Sequence, residues 1–98
     1  MSDLRFVWDP RKARENARKH GVTFEEAQTA FFDDSALLVG DSDHSDEEDG
    51  FLLLGVSSIL RILVACHCYR ESDSVIRIIS ARKAEKEERR EYNERSQR

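Results

Sequence analysis

Val75-Ile-Arg-Ile-Ile-Ser-Ala-Arg-Lys-Ala84 joins a run of β-branched residues to a run of helix formers, and this change of character decides how the rest of the chain is arranged. Val75 to Ser80 has the composition of a largely buried strand. From Ala81 the pattern turns helical, so the last strand is predicted to run directly into a final helix. Alternation sends Ile76, Ile78 and Ser80 to one face and Val75, Arg77 and Ile79 to the other. Arg82 and Lys83 then fall in the first helical turn, where cations oppose the helix dipole by about 0.3–1 kcal/mol each. Together with the free backbone N–H groups of such a terminus they could hold a phosphate; the plainer reading is that Glu85 neutralises them. The helix offers a core only Ala81, Ala84 and Tyr92, which places it at the edge of the domain.

Upstream of this segment, Phe51 to Val56 and Arg61 to Tyr69 read as strands joined near Ser57 to Leu60, and Glu71 to Ser74 turns the chain into the last strand. Short connections imply an antiparallel meander. Ser35 to Val39 is a further short strand, followed by the acidic loop Gly40 to Gly50, which lacks any apolar residue. At the other end, Arg5 to Trp8 is β-prone, and Asp9-Pro10 supplies an N-cap with proline at the first helical position. Ala13 and Ala17 mark the inner side of that helix and Gly21 its end. Thr23 and Glu26 form a capping box for a second helix, Val22 and Ala27 are placed for a hydrophobic staple, and Phe24, Ala27, Ala30 and Phe31 make its apolar stripe. The expectation is a single α+β domain spanning residues 1–98, an antiparallel sheet flanked by two N-terminal helices and a C-terminal one, in the order β-α-α-β-β-β-β-α.

The net charge of −4 conceals strong segregation. Residues 1–24 carry +3, residues 25–50 carry −10 with no base, residues 51–84 carry +3, and residues 85–98 balance. The acidic segment masks two basic ones. No apolar run has the length of a signal peptide or a membrane span, and the two cysteines, Cys66 and Cys68, sit too close along a strand for a relaxed mutual disulfide. A cytoplasmic protein with reduced thiols and no membrane association is expected.

Alternation along Arg61 to Tyr69 puts Arg61, Leu63, Ala65, His67 and Tyr69 on one face and Ile62, Val64, Cys66 and Cys68 on the core face. The first face, joined by Arg77 from the next strand, has the chemistry of a phosphate-reading surface: guanidinium forks for phosphate and an imidazole to move a proton. The alternative is that these are ordinary exposed strand residues. His20, beside Lys19 at the end of the first helix, suits either a dipole-favoured C-terminal cation or a place beside the same surface. No metal is expected: His44 lies among acids without the spacing of a calcium loop, and Cys66-His67-Cys68 alternates faces and lacks a second ligand pair.

Taken together, the ordered set WDP…N…KHGV.F.EA from Trp8, D..HS from Asp41, and RIISARKA..EE...Y from Arg77 resembles the BrnT family of type II toxin–antitoxin systems over nearly the whole chain. The resemblance implies a small bacterial ribonuclease with a RelE-like fold, active on RNA without metal or other cofactor, that arrests growth. It also implies neutralisation by a BrnA antitoxin with a ribbon-helix-helix domain, two copies of each chain in the complex, and contact with DNA only through the antitoxin. On this chain the positions matching the family's basic segments are Lys19, His20, Arg61, Arg70, Arg77, Arg82 and Lys83; joined by His67 from the alternation of its strand, they give His67, Arg77 and Arg82 as expected catalytic residues and Lys19, His20, Arg61, Arg70 and Lys83 as expected RNA contacts. One departure stands out: many relatives have an arginine just before the strand that follows the acidic loop, where this chain has Asp49-Gly50. The corresponding alternative is a weak or inactive homologue that binds its antitoxin in promoter autoregulation.

Overall fold

The computed structural model describes residues 4–41, 50–70 and 74–96, so the acidic residues 42–49, including His44, lie outside the described residues. Strand β1 (Arg5–Val7) leads into helices α1 (Pro10–His20) and α2 (Phe24–Ala30); strands β2 (Leu37–Asp41), β3 (Phe51–Val56), β4 (Ile62–Arg70) and β5 (Val75–Lys83) follow, and helix α3 (Lys86–Ser96) ends the described chain. The expected order of elements is observed. The sheet runs β1-β5-β4-β3-β2, antiparallel throughout except that β1 pairs parallel with β5. Helices α1 and α2 cover one face, and α3 covers part of the other.

Local chemistry sets the helix ends as expected. The Asp9 carboxylate accepts the Arg11 N–H at 2.8 Å, Pro10 opens α1, and Gly21 closes it with φ 68°. Thr23 Oγ1 accepts the Glu26 N–H at 3.0 Å. The capping box is only half made, because the Glu26 carboxylate turns away to accept from Arg61 and Ser57. Phe24, Ala27 and Ala30 pack down on the sheet, and α2 comes so close that a Cβ on Gly55 would stand 2.8 Å from the Ala30 carbonyl oxygen.

Two expectations about β5 are corrected. First, the strand does not stop at Ser80 but continues through Lys83, and α3 starts only at Lys86. Arg82 and Lys83 are therefore strand residues, and the proposed phosphate cradle at a helix N-terminus does not exist there. The reason is tertiary: Leu63 and Val64 of β4 hold Lys83 and Arg82 in register, and Ala81 is buried beneath α1 and α2, which outweighs the local helix propensity. Second, β5 carries a bulge. Cys66 pairs with Ser80 but His67 pairs with Ile78, leaving Ile79 as the extra residue. Facing partners share a face, so Ile76, Ile78, Ala81 and Lys83 look toward α1 and α2, while Val75, Arg77, Ser80 and Arg82 look the other way.

The core accordingly lies on both sides of the sheet. Val22, Phe24, Ala27, Leu63, Ile76, Ile78 and Ala81 fill the side under α1 and α2. Leu54, Val64, Ala84 and Tyr92 fill the side under α3. Two polar clamps fasten that thin helix: Arg82 donates to both carboxylate oxygens of Glu88 at 2.8 and 2.9 Å, and the Tyr92 hydroxyl donates to Asp33 at 2.5 Å. Burial together with the Asp33 contact pushes the Tyr92 hydroxyl up to about 12. Among the described residues no helix is long and apolar enough to cross a membrane.

Candidate functional site

Strand β1 has three residues and pairs β5 only as far as Arg77, so the edge of β5 beyond that point has no strand partner among the described residues. Helix α1 lies along it. The Asn16 side chain, almost fully buried, takes the place of the missing strand: its amide N–H groups donate to the Val22 and Ala81 carbonyls at 2.9 and 2.8 Å, and its oxygen accepts the Ala81 N–H at 3.0 Å. A primary amide presents a donor and an acceptor in the geometry of a peptide group, so it satisfies both edge groups of Ala81 at once. Beside this plug runs a groove of about 250 Å³, lined by Lys12, Glu15, Lys19 and His20 of α1 and by Ile79 and Ser80 of β5.

The bulge changes which residues share a face beside this groove. On a regular strand Arg77 and Ser80 would lie on opposite faces; with Ile79 inserted they become successive residues of one face. Arg77 thus shares a face with Ser80, on the side opposite His67. Further along the same face, Arg5 and Arg70 flank Val75 on neighbouring strands, roughly 10 Å apart at two inter-strand spacings. Arg5 carries no signal in the sequence, because only the parallel pairing of β1 with β5 brings it to Arg70.

Arg61 and Arg82, also expected at the site, are engaged by acidic side chains. Arg61 donates to both oxygens of Glu26 and to the Gly21 carbonyl at 2.9 Å, tying the start of β4 to the turn between α1 and α2. The Arg61 hydrogen bond holds the Glu26 carboxyl below its ordinary range. Arg82 is clamped to Glu88. Lys83 is exposed, two residues beyond Ala81 on the side of α1 and α2.

His67 departs furthest from expectation. Its face is not an open surface but the one beneath α2, and the ring is 0% exposed. Phe31, Phe51 and Tyr69 surround it with ring centroids 4.7, 6.2 and 5.2 Å away. Nδ1 lies 3.2 Å from the Ala65 carbonyl and Nε2 3.3 Å from the Tyr69 hydroxyl, which fits a neutral ring donating from Nδ1 and accepting at Nε2. Cys66 and Cys68, both free and buried, point to the opposite face, so the three residues do not form a ligand set. Among the described residues no group of three or more His, Cys, Asp or Glu is arranged to hold a metal ion.

Comparison with known proteins bears directly on this geometry. The family described as "Ribonuclease toxin, BrnT, of type II toxin-antitoxin system" matches residues 8–88. The chain belongs to the BrnT family. Among solved structures, the BrnT ribonuclease toxin of Brucella abortus is similar at 21% identity with a TM-score of 0.65, covering 85% of this chain and 99% of that one, and it shows the same fold. No curated protein matches the chain. Membership makes this BrnT-family chain an endoribonuclease with an antitoxin partner. It also sorts the motifs that carried the resemblance. Trp8 stacks edge-on against Phe24 at 5.8 Å, Asn16 plugs the β5 edge, Glu88 holds Arg82 and Tyr92 reaches Asp33; these build the BrnT scaffold. Lys19, His20 and Ser80 line the groove instead, and Arg77 shares the Ser80 face.

The buried imidazole leads to a testable pH dependence. Burial is the main cause that lowers the His67 pKa below the ordinary histidine value of about 6.5. The unfolded chain therefore binds a proton at a pH where the folded chain does not, and stability falls as the pH drops below that value. The carboxyls of Glu26, Asp33 and Glu88 are lowered and make their own contribution only at more acidic pH. Urea denaturation at pH 7.5 and 5.5 should show wild type losing stability between the two, and His67→Gln losing little of it. Equal losses in both proteins would remove His67 as the cause.

Proposed function

We propose that the chain cleaves RNA in the groove between α1 and the free edge of β5, without a metal ion, and that this activity arrests growth until a BrnA-like ribbon-helix-helix antitoxin binds. The observation that carries the reading is the convergence of Lys12, Lys19 and His20 with Ser80, beside a strand whose bulge brings Arg77 onto the Ser80 face. Imidazole is the side chain best suited to trade a proton near neutral pH. Here His20 takes the proton of a ribose 2′-hydroxyl as its oxygen bonds to the adjacent phosphorus. The bond from phosphorus to the 5′-oxygen breaks, that oxygen takes a proton from water while His20 returns its own to water, and a cyclic phosphate and a 5′-hydroxyl result. Lys12, Lys19 and Arg77 stabilise the charge that builds on the phosphoryl oxygens. Arg5, Arg70 and Lys83 extend the cationic track for flanking phosphates. His67, Arg61 and Arg82, expected at the site on sequence grounds, serve the scaffold in this reading.

The antitoxin meets the toxin in the cytoplasm as two copies of each chain, and DNA is contacted through the antitoxin. The engagement of Arg61 and Arg82 in ion pairs also favours a second reading, in which catalysis is weak and the chain serves mainly in antitoxin binding and repression. Inducing the chain in bacteria with and without its antitoxin separates the two. Growth should stop and cellular RNA should fragment, both reversed by the antitoxin, and Arg77→Ala should lower cleavage at least tenfold with the fold retained. Normal growth with intact RNA removes the ribonuclease reading in favour of the second.

A further inference from the structure

The turn between β3 and β4 shows two features at odds with a merely structural role. Ile59 and Leu60 are 62% and 82% exposed, two adjacent branched apolar side chains at a tip. Leu60 also adopts φ 66°, and it is the one described residue other than glycine with a positive φ. A left-handed conformation costs a residue with a Cβ about 1–2 kcal/mol, and glycine would avoid it. The chain does place glycine where α1 ends at φ 68°. At this turn it keeps a strained leucine in water, losing on both counts.

The base of the turn is tightly held. Leu60 N–H donates to the Ser57 carbonyl and Ser57 N–H to the Arg61 carbonyl, each at 2.8 Å. Ser58 N–H donates to Thr29 Oγ1 at 2.9 Å and Ser57 Oγ to Glu26 at 2.7 Å. Two apolar side chains are thus presented on a fixed support, the arrangement of an interface anchor whose ordering entropy is already spent. The charge beneath is balanced by the Arg61–Glu26 pair, so nothing at the tip attracts a polyanion. Two side chains cover only a fraction of the roughly 800 Å² per partner that a stable interface buries, so a partner anchored here must also cover surface beside the tip.

We infer that Ile59 and Leu60 are the hydrophobic anchor by which the antitoxin holds this toxin at the mouth of its groove. The connection to the groove is direct: Arg61, next to Leu60, donates to the carbonyl of Gly21, the residue after His20. A protein seated on the tip stands beside His20 and can deny RNA the groove, which is what a neutralising partner has to do. This inference rests on the groove being the RNA-cleaving site.

Its test uses Leu60→Gly and the double variant Ile59→Ser/Leu60→Gly, with the antitoxin expressed from the neighbouring gene as the probe. Three quantities are read: melting temperature, cleavage of RNA by the free chain, and dissociation constant for the antitoxin. Leu60→Gly should leave melting unchanged or raise it, leave cleavage unchanged, and weaken antitoxin binding at least tenfold; the double variant should weaken it about a hundredfold. Unchanged antitoxin affinity overturns the inference, as does a wild-type chain that fails to bind the antitoxin. Loss of self-association with antitoxin affinity intact also overturns it and assigns the tip to contact between copies. If wild type binds the antitoxin through the tip yet cleaves no RNA, the anchor stands and the proposed activity of the groove falls.

Discussion

Replacing His20 by alanine is expected to lower RNA cleavage by about two to four orders of magnitude, the usual contribution of a positioned general base. The motive is geometric: His20 lines the groove among Lys12 and Lys19, while His67 is fully buried beneath α2. The fold should survive the change, because His20 is exposed in the last turn of α1 and a cation there adds only about 0.3–1 kcal/mol to a helix. Initial rates on a defined RNA, measured across pH for wild type and variant, provide the check. A variant that keeps more than a third of wild-type activity, or that loses none of the pH profile, would take His20 out of the reaction. Restored activity on adding free imidazole would support proton transfer over simple RNA binding.

The second large effect is expected at Asn16, where alanine should destabilise the domain by about 3–5 kcal/mol. The substitution strands the N–H and C=O of Ala81 and the C=O of Val22, and each buried group without a partner costs about 1–3 kcal/mol. Partial access of water from the groove keeps the total below the upper sum. Asn16→Asp is a sharper probe, since it keeps the oxygen that accepts from Ala81 but turns a carboxylate toward two carbonyl oxygens; it too should destabilise. Urea denaturation measures both. A loss under about 1 kcal/mol for alanine would mean that the amide does not stand in for a strand. Because a domain of this size is stabilised by only about 5–15 kcal/mol, the alanine variant should also be scarce in cells.

Where neighbouring residues carry the signal, the fold was legible from sequence. Asp9 with Pro10, Gly21, and the stripe Phe24, Ala27, Ala30 identify their helices because caps and periodicity act within a turn or two. Arg82 and Lys83 misled for the converse reason: their local pattern is helical, but backbone pairing with β4 decides their state. The candidate site was only partly legible. Lys19 and His20 were found as a pair of basic residues, yet their neighbours Ile79 and Ser80 lie some sixty positions away, and no alternation rule predicts a bulge. The face assigned to Arg77 was inverted by counting on past a position where the pairing slips. His67 looked surface-directed because alternation separates two faces without saying that both are covered. Arg5 was silent because a three-residue strand gives no periodic signal at all.

The extra residue at Ile79 divides β5 into two reading frames. Up to Ile78 the interior phase is even, holding Ile76 and Ile78; beyond it the phase is odd, holding Ala81. Deleting Ile79 would merge the frames without moving any other residue to the opposite face, because Ile78 and Ser80 already pair with the consecutive residues His67 and Cys66; Ala81 would stay inward on Asn16 and Arg82 outward. For this strand, then, one residue of length stands outside the pairing: Ile79 can leave the ladder without disturbing it, and what would be lost is its own place in the groove wall.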